Sequence, residues 1–130
     1  MERDKDLLRT LLLKLECIAM PPGAIMILDP CDDEFAVEGK IADHIDYHLR
    51  LIGEAGFVEE LGQGFASGDF RFRRLSWAGH DFLDSVRDAD IWKATKQGVD
   101  DAKGFTFDML RDLAKGLLKK KIEVHTGVQL

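Results

Sequence analysis

The sequence predicts an α+β domain, and three observations carry that prediction. Segments with apolar residues three and four positions apart alternate with short runs of strand-forming residues. Glycine and proline stand at the joints between them. The 130 residues suit one core with little spare length.

The first helix is expected over residues 4–19. Leu8, Leu11, Leu12, Leu15 and Ile18 share a face, with Arg9 and Glu16 off it. Asp4 is placed to cap it, Asp6 to favour its positive end, and Met20-Pro21-Pro22-Gly23 to stop it. Ala24 to Leu28 reads as a short strand, Asp29 to Asp33 as a turn, and Phe35 with Val37 as a second short strand. A helix is then expected from Lys40 to Ala55. Ile41, Ile45, Leu49 and Ile52 form its buried stripe, His48 and Ala55 lie beside it, and Gly56 ends it. Phe57, Val58 and Leu61 open a strand, residues 62–69 connect a hairpin, and Phe70 to Leu75 return.

Ser76 is placed to cap a further helix, with Trp77, Phe82, Leu83 and Val86 on its apolar face. Another helical segment starts near Asp90 with Ile91 and Trp92, and residues 98–104 read as a surface loop. Thr106 caps a last helix on Leu110, Leu113, Ala114 and Leu117, with Lys119, Lys120 and Lys121 at its negative end. Residues 122–130 are expected as a short strand or tail. The expected organisation is a single domain over residues 1–130, with a core at about 4–87 and a C-terminal helical extension at about 88–121.

An apolar fraction of 45% with 32% charged residues excludes wholesale disorder. The apolar runs are too short to cross a bilayer, and the charged stretch Met1 to Asp6 lacks a secretory pattern, so a cytoplasmic, non-membrane protein is expected. In that compartment Cys17 and Cys31 are expected as free thiols.

The residues assemble no recognisable catalytic or metal motif. His44 and His48 are four apart, yet Ile45 stands where a zincin needs glutamate. Asp29, Asp32, Asp33 and Glu34 lack the alternation and closing glutamate of a calcium loop. Gly62, Gly64 and Gly68 lie between strands with no following lysine, unlike a phosphate cradle. The expectation is a protein with no catalytic residue, metal or cofactor, and therefore no enzyme. His48 and His80 are read as structural.

The stretch Leu49-Arg50-Leu51-Ile52 leads through Ala55-Gly56-Phe57-Val58 to the hairpin, and Leu75-Ser76 with Gly79 opens the next helix. This order resembles winged-helix regulators, which implies a winged helix-turn-helix-like domain with additional C-terminal helices. Arg3-Asp4, Tyr47-His48-Leu49, Arg74-Leu75-Ser76-Trp77-Ala78-Gly79-His80-Asp81-Phe82-Leu83, Arg87-Asp88, Ile91-Trp92 and Thr95-Lys96 also resemble the often phage-associated family DUF2513. That resemblance implies the same fold and a phage or mobile-element origin. It supplies no chemistry. One departure stands out: Pro30, Asp32, Asp33, Glu34 and Gly39 make the segment before the reading helix a poor helix, so the usual support helix is expected to be missing, shifted or fused into Ile41 to Ala55.

Charge sets the functional expectations. The net charge of −6, from 18 basic and 24 acidic residues, is the wrong sign for gripping phosphate over the whole surface, but leaves room for a local basic patch. With the isoleucine stripe inward, the reading helix turns Asp43, Asp46, Tyr47, Arg50 and Glu54 outward. The wing carries Arg71, Arg73 and Arg74, with Arg71 and Arg73 expected on one strand face; the three either reach phosphates or solvate the outer face of the hairpin and pair with Glu59 or Glu60. The candidate nucleic-acid contacts are Arg50, Arg71, Arg73, Arg74 and Tyr47, with double-stranded DNA as first partner and transcription regulation as the role. The alternative is a protein-interaction adaptor using the acidic face. Trp92 and the last helix are the candidate homodimer surface.

Overall fold

The computed structural model describes residues 2–59, 70–104 and 106–130. The expected strand position Leu61, the connection 62–69 and Glu60 lie outside the described residues. The chain divides into two compact units, Met1–His80 and Asp81–Leu130. It is α+β, with five helices among the described residues and short antiparallel strand pairs.

In the first unit, helix α1 (Lys5–Glu16) buries Leu7, Leu8, Leu11, Leu12 and Leu15. Asp4 caps it as expected, its carboxylate accepting the Leu7 N–H at 3.1 Å. The helix stops three residues earlier than its apolar spacing suggests. Cys17 and Ile18 fold their N–H groups back onto Leu13, Lys14 and Leu15 carbonyls in a tightened last turn. The chain then takes the turn Pro21 to Ala24, closed by Ala24 N–H on the Pro21 carbonyl at 3.0 Å.

Strand β1 (Met26–Leu28) follows. The strand expected at Phe35 and Val37 is instead a 3₁₀ turn, Asp33–Phe35. Asp29 accepts the Cys31 N–H, and the carbonyls of Asp32 and Asp33 accept from Phe35 and Ala36. These local bonds satisfy the backbone without a strand partner. Phe35 is left fully buried.

Helix α2 (Ala42–Glu54) buries Ile45, His48, Leu49 and Ile52. Ile41 is the N-cap rather than the first stripe residue; its extended backbone takes it out of helical phase, and its side chain is 67% exposed. His48 completes the stripe in its place. The helix closes as Gly56 enters the left-handed region at φ +77°, where a side chain would be strained. Gly56 N–H reaches the Gly53 carbonyl and Phe57 N–H the Ile52 carbonyl, the paired bonds of a Schellman ending.

Strands β2 (Val58–Glu59), β3 (Phe70–Phe72) and β4 (Arg74–Leu75) form the antiparallel pairings. β3 pairs with β1, Met26 facing Phe72 and Ile27 facing Arg71. β4 pairs with β2, Val58 facing Leu75 and Glu59 facing Arg74. Arg73, between β3 and β4, also gives its N–H to the Glu59 carbonyl. Arg73 and Arg74 thus stand against one residue, the arrangement of a β-bulge. Leu28, Val58, Phe72 and Leu75 point into the core.

Helix α3 (Trp77–Val86) begins with Ser76, whose hydroxyl accepts the Gly79 N–H at 3.1 Å and donates to the Gly56 carbonyl. Trp77 was expected on the apolar face but is 84% exposed. It precedes Phe82 by five residues, about 140° around the helix. The buried face is Phe82, Leu83 and Val86. Gly79 allows a close approach: a Cβ there would lie 2.1 Å from the Phe57 carbonyl oxygen.

In the second unit, α4 (Ala89–Asp101) and α5 (Phe107–Thr126) pack together. Asp88 caps α4 and receives Lys121 Nζ at 2.6 Å, tying the start of one helix to the far half of the other. The loop expected at 98–104 is largely helix. Gly98 sits against the Leu113 side chain and Val99 is buried, so packing carries α4 to Asp101. Thr106 caps α5 as expected, with Leu110 and Ala114 buried and Phe107 stacked near Phe82 at 5.0 Å. The helix runs to Thr126, closed by Gly127, so Lys119 to Lys121 lie inside it rather than at its end.

Two outcomes follow from these contacts. Gly79→Ala loses about 2 kcal/mol of unfolding free energy, because backbone must move to admit the methyl. Gly116→Ala, with open space at its Cβ in mid-helix, gains about 0.5–1 kcal/mol; urea unfolding of the two variants checks the opposite signs. The second outcome concerns Asp4. Burial raises its carboxyl, but the Lys40 hydrogen bond, the Leu7 N–H and the Lys40 charge outweigh this and hold it below its ordinary 3.8. The stability it adds is complete above that ordinary value and is lost as pH falls through the lower folded value. Lys40→Met therefore lowers stability near neutrality, and the gap to wild type closes as pH falls through the lowered folded value of Asp4. Urea midpoints across that range test it, and a pH-independent gap contradicts it.

Candidate docking surface

The exposed side of α2 is built on the buried stripe beneath it. Ile45, Leu49 and Ile52 point inward, which leaves Asp43, Asp46, Tyr47, Arg50 and Glu54 outward or half-buried. The pose of the helix is set at His48. This imidazole is fully buried; its Nε2 accepts the Asp4 backbone N–H at 2.8 Å, and its Nδ1 lies 2.8 Å from the His44 carbonyl oxygen. The neutral ring with its proton on Nδ1 satisfies both contacts. Tyr47 and His44 each meet the ring edge-on at 5.5 Å. Both ring nitrogens being engaged, His48 has no lone pair to offer a metal beside His44. Among the described residues no three His, Cys, Asp or Glu side chains cluster for a metal.

The candidate arginines divide into two kinds. Arg50 places Nε 3.0 Å from Asp46 one helical turn back. Arg74 grips Glu59 with two bonds of 2.9 Å, Nε to one oxygen and a terminal nitrogen to the other. That grip holds the Glu59 carboxyl below its usual range, against the opposing effect of desolvation, with the charges of Arg74 and Arg73 adding to it. Glu59 in turn raises Arg74. Pairing with Glu59 was among the sequence expectations, and Arg74 fulfils it.

Arg71 and Arg73 carry no such carboxylate among the described residues. Arg71 stands opposite the exposed Ile27, its Nε buried without a hydrogen-bond partner. Arg73 lines a cleft with His80 and Met20. The bulge breaks the two-residue alternation on which Arg71 and Arg73 share a face. No sequence signal marks it, because it depends on which residue of β2 faces the pair. The link from Asp4 to His48 is equally silent in sequence, since 44 residues separate the partners.

The face of α2 can therefore attract cations by charge, and the strand arginines can attract anions. Cys17 and Cys31 are exposed free thiols. No helix among the described residues is long and apolar enough to cross a membrane.

Comparison with known proteins places the chain among relatives. A protein of Haemophilus influenzae described as "Uncharacterized protein" is 26% identical over 124 residues, covering 94% of this chain and 99% of the relative. No solved structure matches the chain significantly. The family model described as "Hypothetical protein (DUF2513)" matches residues 2–106, most of the chain and every residue of the α2 face and strand arginines. The chain belongs to the DUF2513 family.

Proposed function

We propose that the first unit is a winged-helix scaffold that docks a basic protein surface through the exposed face of α2. The scaffold reading rests on connectivity. A helix, strand β1, a short helical turn, a second helix and strand β2 follow in order, and the chain then returns as β3, paired with β1, and β4, paired with β2. The 3₁₀ turn Asp33–Phe35 occupies the place of a support helix. At one turn it is too short to brace α2 along a phosphate backbone in the way a helix-turn-helix does.

The observation that carries the partner class is the Asp46–Arg50 ion pair at 3.0 Å. It engages the arginine of the face, while Asp43 and Glu54 stand exposed on either side. Each carboxylate brought against phosphate is repelled and must shed water. Lysine and arginine side chains on a protein partner meet the same face with favourable charge. The role is that of a non-catalytic adaptor.

A second reading keeps duplex DNA as partner and transcription regulation as role. It is favoured by Arg71 and Arg73, which are not tied to carboxylates among the described residues. Its contacts lie on the strands rather than on α2.

The two readings separate in one experiment. A photo-crosslinking residue replaces Tyr47 in the full chain expressed in its source cell. The expected outcome is a protein adduct whose yield drops about tenfold when Asp43 and Glu54 become lysine. Arg71→Ala with Arg73→Ala leaves that yield unchanged. Fluorescence anisotropy with duplex DNA at low salt shows no binding at about 10 μM. Salt-sensitive duplex binding that vanishes with the two arginine changes overturns the adaptor reading in favour of DNA.

A further inference from the structure

The end of α1, the bulged strand and the first turn of α3 enclose a cleft of about 170 Å³ within the first unit. Its floor is apolar and belongs to the core: Leu15, Phe72 and Leu75 are all buried. Ile18 and Met20, half-buried in the stretch after α1, form a wall. Arg73 and His80 stand over this apolar surface.

Arg73 and His80 have no hydrogen-bonded side-chain partner among the described residues. Arg74 explains why for Arg73: it occupies both carboxylate oxygens of Glu59, the residue whose backbone carbonyl accepts the Arg73 N–H. Arg73 is therefore a half-buried guanidinium beside hydrocarbon, in a molecule whose net charge is −6. Its charge acts on the Glu59 carboxylate without a side-chain hydrogen bond to it; partial desolvation without a hydrogen-bonded counter-ion is costly, and an anion entering the cleft offsets part of that cost. Glu16 lines the α1 side. It repels a carboxylate from that wall and directs it toward Arg73 and His80.

The volume sets the size of the ligand. It is close to that of about six water molecules, which fits one branched aliphatic side chain with its carboxylate and excludes larger ring systems. We propose that this cleft binds a small aliphatic monocarboxylate, with the carboxylate on Arg73 and His80 and the hydrocarbon on Ile18, Met20 and Phe72. The same chemistry is presented by a free branched-chain acid and by a peptide that ends in leucine. The site is separate from the α2 face and stands whichever macromolecule that face recognises.

The test is an NMR titration of the full chain with two pairs of probes. One pair is 4-methylpentanoate and its amide; the other is an acetylated tripeptide ending in leucine, as free acid and as amide. The expected result is saturable shifts at Ile18, Met20, Arg73 and His80 for the acids, with amides weaker by about tenfold or more. R73Q and H80Q each weaken the acid, R73Q by about tenfold, and R73K restores part of the loss through charge alone. Two variants on different elements keep the test decisive if either one fails to fold. Tighter binding of the tripeptide acid assigns the ligand to a chain terminus, and tighter binding of 4-methylpentanoate assigns it to a free acid. Equal binding of acid and amide, shifts that map away from the cleft, or no saturable shift overturns the proposal.

Discussion

A backbone amide at the start of one helix and an imidazole in the middle of another hold the first unit together. The first N–H groups of a helix have no partner within it. At Asp4 the side chain satisfies one amide of α1, while the residue's own N–H crosses to His48 on α2. Lys40, just ahead of α2, returns the connection through the Asp4 carboxylate. One residue thus caps its own helix and ties it to α2 and the residue ahead of it by two further bonds of different kinds. A buried imidazole is tolerated on an otherwise apolar stripe because both its nitrogens are engaged. That arrangement adds directional bonds to the packing of Ile45, Leu49 and Ile52 in fixing the rotation of α2, and with it the direction of the charges on its outer face.

The charges themselves are mostly spent internally. Asp46 with Arg50, Glu59 with Arg74, Arg87 with Asp84 and Arg111 with Asp108 are pairs on or near the surface, short in sequence or facing across strands. Such pairs contribute little to stability individually. Their larger effect is on what the surface offers to others. A guanidinium that already grips a carboxylate with two bonds is a poor ligand for a phosphate. This is why counting arginines in the hairpin overstates its appeal to nucleic acid, and why the acidic α2 face weighs more in the adaptor reading.

Much of the helix architecture was legible from spacing and caps. Asp4, Thr106 and Ser76 cap where their hydroxyl or carboxylate chemistry suggests, and Gly56 stops α2 for the steric reason that favours glycine there. The misreadings share a cause. Ile41 and Trp77 were assigned inward by hydrophobicity, yet each sits at a helix start where phase is not yet set by the helix. Residues 98–101 looked like loop because of Gly98, whose role is to admit the Leu113 side chain from a helix distant in sequence. Phe35 looked like strand because one buried aromatic says nothing about backbone conformation. In the candidate sites, residue types were readable and pairings were not: that Arg74 rather than Arg73 takes Glu59 depends on a bulge fixed by strand register.

That bulge has a consequence for how the family can vary. A strand that changes neighbour halfway along its length is two short strands sharing one backbone. Its first half is matched to β1 and its second to β2, with Arg73 as the joint. Because the joint absorbs the mismatch, the inward pattern on one side need not be in step with that on the other. A change of side-chain size beside β1 can thereby be taken up on its own side of the joint, without a matching change beside β2.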